Sequence, residues 1–184
     1  MNFSAVLLAG GKSIRMGRDK AFLDIGGTPL WRRQIGILRA LAPVEIFISG
    51  PPRPEWSGFP VVADATPDAG PLAGVVAGLR RCAGSHLVVL AVDLPRMTPE
   101  FLRSLAALCT ERTGVVPRAE KFHEPLAAVY PKACLAIAEE CLASGDHSLQ
   151  NFVARSIAAG LLRERVLTQD DAPLFLNANT PADL

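Results

Sequence analysis

The chain has 184 residues, enough for one domain with a sizeable core, and with 49% hydrophobic and 20% charged residues it is not a disordered chain. The formal net charge of +1 is too balanced for a nucleic-acid protein or a polybasic membrane anchor. The longest buried-looking apolar run, Leu87 to Val92, is far shorter than the roughly 20 residues that cross a bilayer, and Met1 to Leu8 lacks the basic flank of a signal peptide.

Strands and helices alternate along the chain. Ser4 to Leu8 reads as a strand buried on both faces. Thr28-Pro29 predicts a helix start, with Thr as N-cap and Pro in the first turn, and Leu30, Ile35, Leu38 and Leu41 keep helical spacing up to Pro43. Val44 to Ser49 and Pro60 to Ala63 read as the next strands, separated by a proline-rich surface loop. Pro71 to Cys82 reads as a helix of small residues, and Leu87 to Val92 as the most apolar and hence central strand. Thr98-Pro99-Glu100 opens a further helix. Gly114 to Pro117 and Pro125 to Tyr130 are shorter strands joined by a charged loop, Arg118 to Glu124, expected to be mobile. Ala133 to Leu142 and Ser148 to Ala159 are helices, and a last strand is expected near Leu174 to Leu176. Such βα alternation implies an α/β fold with a mostly parallel sheet, whose ligands bind beyond the carboxyl ends of the strands.

Cys82, Cys109, Cys134 and Cys141 form no Cys-x-x-Cys pair and read as small apolar residues in a reducing compartment. His86, His123 and His147 have no metal-ligand spacing.

The residues that follow the strands carry the chemistry. After the first strand comes Ala9-Gly10-Gly11-Lys12-Ser13-Ile14-Arg15-Met16-Gly17-Arg18-Asp19-Lys20. Its glycines let backbone N–H groups approach phosphate oxygens, and its four cations add positive charge. It is not a Walker A loop, because the required first glycine falls on Val6, nor a dinucleotide fingerprint, because Gly10 and Gly11 are adjacent. A plain βα turn with solvated cations is the structural alternative. Asp93 follows the most apolar strand, where a carboxylate either ligates a hard cation or caps the turn before Pro95. Asp64 has the same two readings. Gly70-Pro71-Leu72 opens a helix whose N-terminus can face an anion, while Gly74 and Gly78 suit close helix–sheet packing. Asn177 and Asn179 point to one side of an extended segment and can bind a polar ligand, or Asn179 or Thr180 can cap a final helix.

Leu8 to Lys20 resembles the signature of the molybdenum cofactor guanylyltransferase family. Asp64 with Gly70-Pro71-Leu72-Ala73-Gly74, Val92-Asp93-Leu94-Pro95, Glu124-Pro125-Leu126-Ala127-Ala128-Val129-Tyr130 and Asn177 to Leu184 resemble its later motifs, in order and across essentially the whole chain. The resemblance implies one nucleotidyltransferase domain over residues 1–184, a Rossmann-like three-layer αβα sandwich. It further implies Mg²⁺-dependent transfer of GMP from GTP to the phosphate of a molybdopterin-type cofactor, in the cytoplasm, with molybdoenzymes or cofactor-handling proteins as possible partners. By the same resemblance Arg15, Lys20 and Asp93 are catalytic and Asp93 holds the metal. Leu8, Ala9, Gly10, Gly11, Lys20, Ser49, Asp64, Gly70, Pro71, Leu72 and Asp93 bind the nucleotide, and Asn177 and Asn179 bind the acceptor. The loop Arg118 to Glu124 either contacts the acceptor as well or is only a solvated hairpin connection. Ser49 stands where some guanylyltransferases carry Asn, and a hydroxyl cannot make an amide's paired contacts. A cytidylyltransferase, a transferase for another phosphorylated acceptor, and a non-catalytic nucleotide-binding module are the alternatives. The joint presence of Arg15, Lys20 and Asp93 argues against the last.

Overall fold

The computed structural model describes residues 2–10, 20–63 and 69–177. In chain order the elements are β1 (Phe3–Leu8), β2 (Asp24–Ile25), β3 (Thr28–Pro29), α1 (Leu30–Arg39), β4 (Ile46–Ser49), β5 (Val61–Val62), α2 (Pro71–Arg81) and β6 (His86–Ala91). They continue with α3 (Pro99–Leu108), β7 (Gly114–Ala119), β8 (Phe122–His123), β9 (Ala127–Pro131), α4 (Cys134–Ala143), α5 (Leu149–Ala158) and β10 (Leu162–Val166). Among the described residues the main sheet runs β10-β7-β9-β6-β1-β4-β5, with β8 paired to β7. β1 pairs parallel with β4 and β6, β4 with β5, and β7 with β10. β9 lies antiparallel between β6 and β7, so the mostly parallel sheet of the sequence reading is present with one reversed strand inside it.

Side-chain alternation along buried strands builds a core on each face. Ala5, Leu7, Val88 and Leu90 pack on one face with Leu30, Ile35 and Leu38 of α1 and Phe101, Leu102 and Leu105 of α3. Val6, Leu8, Leu87 and Val89 pack on the other with α2, α4 and α5. The result is the expected three-layer αβα sandwich. α2 approaches the sheet through Gly78, where a Cβ would lie 2.8 Å from Leu87 Cδ2, so the small-residue packing reading holds there. All of β6 is buried, and the strand sits next to β1 at the centre.

Three local expectations need correction. Thr28-Pro29 does not open a helix. It pairs as β3 with β2 across Gly26-Gly27, both at positive φ (59° and 85°), and α1 begins at Leu30 with no side-chain cap. Two glycines at positive φ make the tight hairpin connection that Thr28 and Pro29 then continue. The expected strand at Leu174–Leu176 is a 3-10 turn, Ala172–Phe175, with Pro173 in its first turn where a missing N–H costs nothing. The last strand is β10, which buries Leu162 while most of the rest faces solvent. The Thr98 cap is as expected, its side chain accepting from Phe101 N at 3.2 Å. The segment Arg118 to Glu124 is a pinned hairpin. His123 and Gln150 exchange backbone-to-side-chain hydrogen bonds at 3.0 and 2.9 Å, and Arg118 and His123 both reach Glu164.

Candidate active site

The chain goes outward from β1 to β4 and β5, then returns to place β6 on the other side of β1. Strand order therefore reverses between β1 and β6, and the crevice at their carboxyl ends is where such sheets hold ligands. Leu8 ends one of these strands, and Asp93 lies two residues beyond the other. The loops there are tied into one surface: Ala9 N donates to Ser49 O at 2.9 Å and Val92 N to Leu8 O at 3.0 Å.

Lys20 Nζ lies 3.9 Å from Asp93 Oδ2, both side chains partly exposed, so the structure brings these two sequence-predicted residues together. At that separation the pair is electrostatic and lies beyond hydrogen-bond length, so an anion beside Lys20 or a cation beside Asp93 can enter between them. Leu8 and Ala9 are 7% exposed and Gly10 is exposed, so Gly10 is the part of this segment that faces solvent. Ser49 is buried at 2% exposure and its carbonyl holds Ala9. Gly70 and Pro71 are exposed at the start of α2, which follows β5 at the same edge, whereas Leu72 is wholly buried in the core beneath it. Asn177 is exposed and follows the 3-10 turn on the β7–β10 side of the sheet. Gly11, Arg15, Asp64 and Asn179 lie outside the described residues.

The turn that carries Asp93 is held from α1, which the sequence reading did not foresee. Gln34 is fully buried, and its Nε2 donates to Leu94 O at 2.6 Å, with the Ala91 and Val92 carbonyls each at 3.5 Å. Arg33 Nε donates to Pro95 O at 3.0 Å. A polar Gln at a core position of an amphipathic helix was the available signal, because a buried amide needs a partner. Gly50, which follows β4, sits at the same edge. Its φ is +153°, and a Cβ there would lie 3.0 Å from Gly10 N.

No cysteine is poised as a nucleophile. All four are free, and burial pushes the Cys109 thiol to about 11 and the Cys134 thiol to about 12. Among the described residues no three His, Cys, Asp or Glu side chains gather as a metal cage, and no helix is long and apolar enough to cross a membrane. A carboxylate such as Asp93, without a cage of further ligands among the described residues, suits a cation that arrives with phosphates, since Mg²⁺ keeps waters and takes only one or two protein carboxylates.

A glycine- and cation-rich segment leading from β1 to a lysine that faces a strand-end carboxylate, at the switch point of an αβα sheet, defines a nucleotidyltransferase-class enzyme. Residues 5–161 match the MobA-like NTP transferase domain, and the chain belongs to that family. It is 38% identical to a probable molybdenum cofactor guanylyltransferase of Opitutus terrae, the match covering 98% of this chain and 92% of the relative. It is 34% identical to the molybdenum cofactor guanylyltransferase of Syntrophotalea carbinolica, over 98% of this chain and 88% of that one. The fold is shared with the molybdopterin-guanine dinucleotide biosynthesis protein A of Archaeoglobus fulgidus at a TM-score of 0.75 and 23% identity, covering 98% and 94% of the two chains. It is shared also with 2-C-methyl-D-erythritol 4-phosphate cytidylyltransferase of Thermus thermophilus at a TM-score of 0.72 and 17% identity, covering 100% and 95%.

Proposed function

We propose that this protein is a molybdenum cofactor guanylyltransferase, transferring GMP from GTP to the phosphate of a molybdopterin-type cofactor. Near full-length relatedness to proteins of that name supports the substrates, and the Lys20–Asp93 pair at the switch point carries the chemistry. An acceptor phosphate oxygen attacks the α-phosphorus in line. The new P–O bond forms as the bond to the β-phosphate's bridging oxygen breaks, and pyrophosphate leaves with that electron pair. A phosphate anion needs no base and no protein nucleophile, so catalysis is positioning and charge stabilisation.

In this reading the Leu8 to Gly11 backbone, Ser49, Asp64 and the Gly70-Pro71-Leu72 helix start hold the donor. Lys20 and Arg15 stabilise charge developing on the α-phosphate and leaving group. Asp93 would hold Mg²⁺, which when bound neutralises phosphate oxygens. Asn177 and Asn179 serve the acceptor. One domain over residues 1–184 and a cytoplasmic setting complete the reading, and four unpaired thiols are consistent with that setting. Purified protein with GTP, Mg²⁺ and molybdopterin is expected to release pyrophosphate and form a guanine dinucleotide detectable by mass spectrometry. Pyrophosphate release without that product, or no turnover, rejects the assignment.

A further inference from the structure

A second concavity opens at the same sheet edge, on the far side of Asp93 from Gly10. Its volume is about 470 Å³, and its lining includes Glu120, Phe122, Glu124, Leu167, Phe175 and Leu176. β7 and β10 run parallel to β6 and β1, because β9 between β6 and β7 is antiparallel to both, so their carboxyl ends meet the cavity at the catalytic edge. Leu126 O accepts from Ala91 N at 2.8 Å, so the segment that starts at Glu124 runs beside the end of the strand leading to Asp93. Leu176 lies in the cavity wall, and Asn177 comes next in the chain.

The walls are held in place. Tyr130, fully buried, donates its hydroxyl to Pro125 O at 2.7 Å and fixes the turn behind Glu124. Glu124 N donates to Pro117 O at 2.8 Å. Across the cavity Arg165 bonds Asp171 at 3.2 Å and Ser104 at 2.7 Å, while its guanidinium lies 4.4 Å from the Phe101 ring centroid. Phe175 meets Phe101 edge to face with centroids 5.3 Å apart. Within this framework Glu124 is half-buried, and no cation or hydrogen-bond donor among the described residues is found at its carboxylate. Burial holds its acid above the usual carboxylate range, as expected of a charge that lacks a partner. Phe122 is 68% exposed at the other lip. A half-buried carboxylate without a partner, in a concavity also lined by Phe122 and Phe175, is a poor arrangement for the protein alone and a good one for a flat ring carrying adjacent N–H donors.

Building on the guanylyltransferase reading, we propose that this cavity seats the pterin ring of the acceptor, with Glu124 accepting from the ring's N–H and 2-amino group and Phe122 against its face. Guanine carries the same donor edge, so the chemistry alone fits either substrate. The location assigns the acceptor, because Glu124 lies on the β7–β9 side of Asp93 while Gly10, Ser49 and the start of α2 lie on the β1–β4–β5 side. Two carboxylates then have separate duties, Asp93 at the reacting phosphates and Glu124 at the ring.

Glu124→Gln and Phe122→Ala test this in steady-state assays with GTP and molybdopterin. The expected result is a rise in acceptor KM of about tenfold or more in each, with GTP KM within about twofold of wild type. An acceptor KM unchanged in both variants, or a rise confined to GTP KM, overturns the proposal even if wild-type protein makes the dinucleotide. A second readout does not depend on turnover. NMR titration of the full chain with 6-carboxypterin should shift cavity resonances, more strongly than with 6-carboxylumazine, which has an oxygen in place of the 2-amino group. Glu124→Gln should remove that preference. Equal binding of both rings by wild type, a preference that survives Glu124→Gln, or no response at the cavity also overturns it. If the wild type shifts as expected yet forms no dinucleotide, the proposed function fails and the ring site stands.

Discussion

The ammonium of Lys20 stands 3.9 Å from the carboxylate of Asp93, one residue from the segment after β1 and the other from the turn after β6. In this pair each group is the other's placeholder. In the proposed reading a Mg²⁺-bound triphosphate would supply Asp93 with a cation and Lys20 with anionic oxygens, so binding would separate the pair without stranding either charge. Asp93→Asn is therefore expected to reduce turnover to a small residue of wild type at ordinary Mg²⁺, with an unchanged circular dichroism spectrum. Near-normal kcat at saturating GTP would remove Asp93 from the metal role. Lys20→Ala should lower kcat on the order of 10²-fold with a smaller effect on nucleotide affinity, because the leaving group carries more charge in the transition state than in the bound substrate. A change in KM alone would make Lys20 a simple binding residue.

Gln34 acts through the Leu94 carbonyl it holds at 2.6 Å, and so through the turn that aims Asp93. It touches no reacting atom and is a positioning residue. Gln34→Leu keeps the volume and loses the donor, leaving strand-end carbonyls unpaired in the core. The expected effect is a loss of about tenfold or more in kcat and a shift of the Mg²⁺ requirement to higher concentration, as supporting residues of metal ligands show. A fall in Tm with an unaltered Mg²⁺ profile would reduce Gln34 to a packing element.

At Gly50 the backbone takes φ +153°, and an added Cβ would meet Gly10 N at 3.0 Å and Ala9 C at 3.2 Å. The neighbouring Gly10 backbone must shift to admit it, and that backbone faces the donor in the proposed reading. Gly50→Ala should raise GTP KM several-fold while the acceptor KM stays close to wild type. Equal changes in both constants would point to a general loosening of the sheet edge.

Elements whose sequence signal agreed with their tertiary setting were legible. β6 reads as a central strand because every residue is buried, and α3 because Thr98 caps it. Thr28-Pro29 misled because its helix-start pattern competes with the Gly26-Gly27 hairpin before it, and the hairpin won. β10 escaped notice because Leu162 is its only fully buried residue and Arg163, Glu164 and Arg165 suit a solvent-facing edge strand. That Lys20 and Asp93 lie together was legible, because each follows a strand in a telling motif. Gln34 was not, since only the fold brings α1 under the Asp93 turn, and Glu124, although it opens a motif in the sequence, comes to lie in one concavity with Phe175 only through the fold.

Glu124 also has a consequence for stability. Burial raises its acid above the usual carboxylate range, so the folded state binds a proton more tightly than the unfolded state. Folding is then penalised at pH values above the raised folded pKa, and the penalty fades as pH falls through that value to below the ordinary range. On the same hairpin Glu120 lines the cavity, Lys121 is exposed, and Arg118 and His123 are both engaged with Glu164 of β10. Glu124→Gln should raise Tm at neutral pH, and the gain should shrink as the buffer is acidified into and below the carboxylate range. A gain independent of pH, or a loss of Tm at neutral pH, would contradict this account.

The donor base is expected to be guanine, in preference to cytosine and adenine. The argument rests on Ala9-Gly10-Gly11, whose backbone lies against the base in the proposed reading. Position 10 has no Cβ, which leaves room for a purine edge. Guanine offers N–H donors to backbone carbonyls and an O6 to a backbone N–H, while adenine presents the reverse pattern and would strand those groups unpaired, a strong basis for rejection. Ala9 is positioned for this by its hydrogen bond to Ser49 O at 2.9 Å, so Ser49 supports the segment through its own backbone. With Ser49 only 2% exposed, the hydroxyl adds little reach toward a base, and selectivity falls more heavily on the glycines. Measured with molybdopterin as acceptor, kcat/KM should be highest for GTP. A CTP value equal to or above it would move the enzyme to the cytidylyltransferase group. Gly10→Ala sharpens the test: its methyl group should cost GTP more than the smaller CTP. Equal losses for the two donors would show that Gly10 does not set the base.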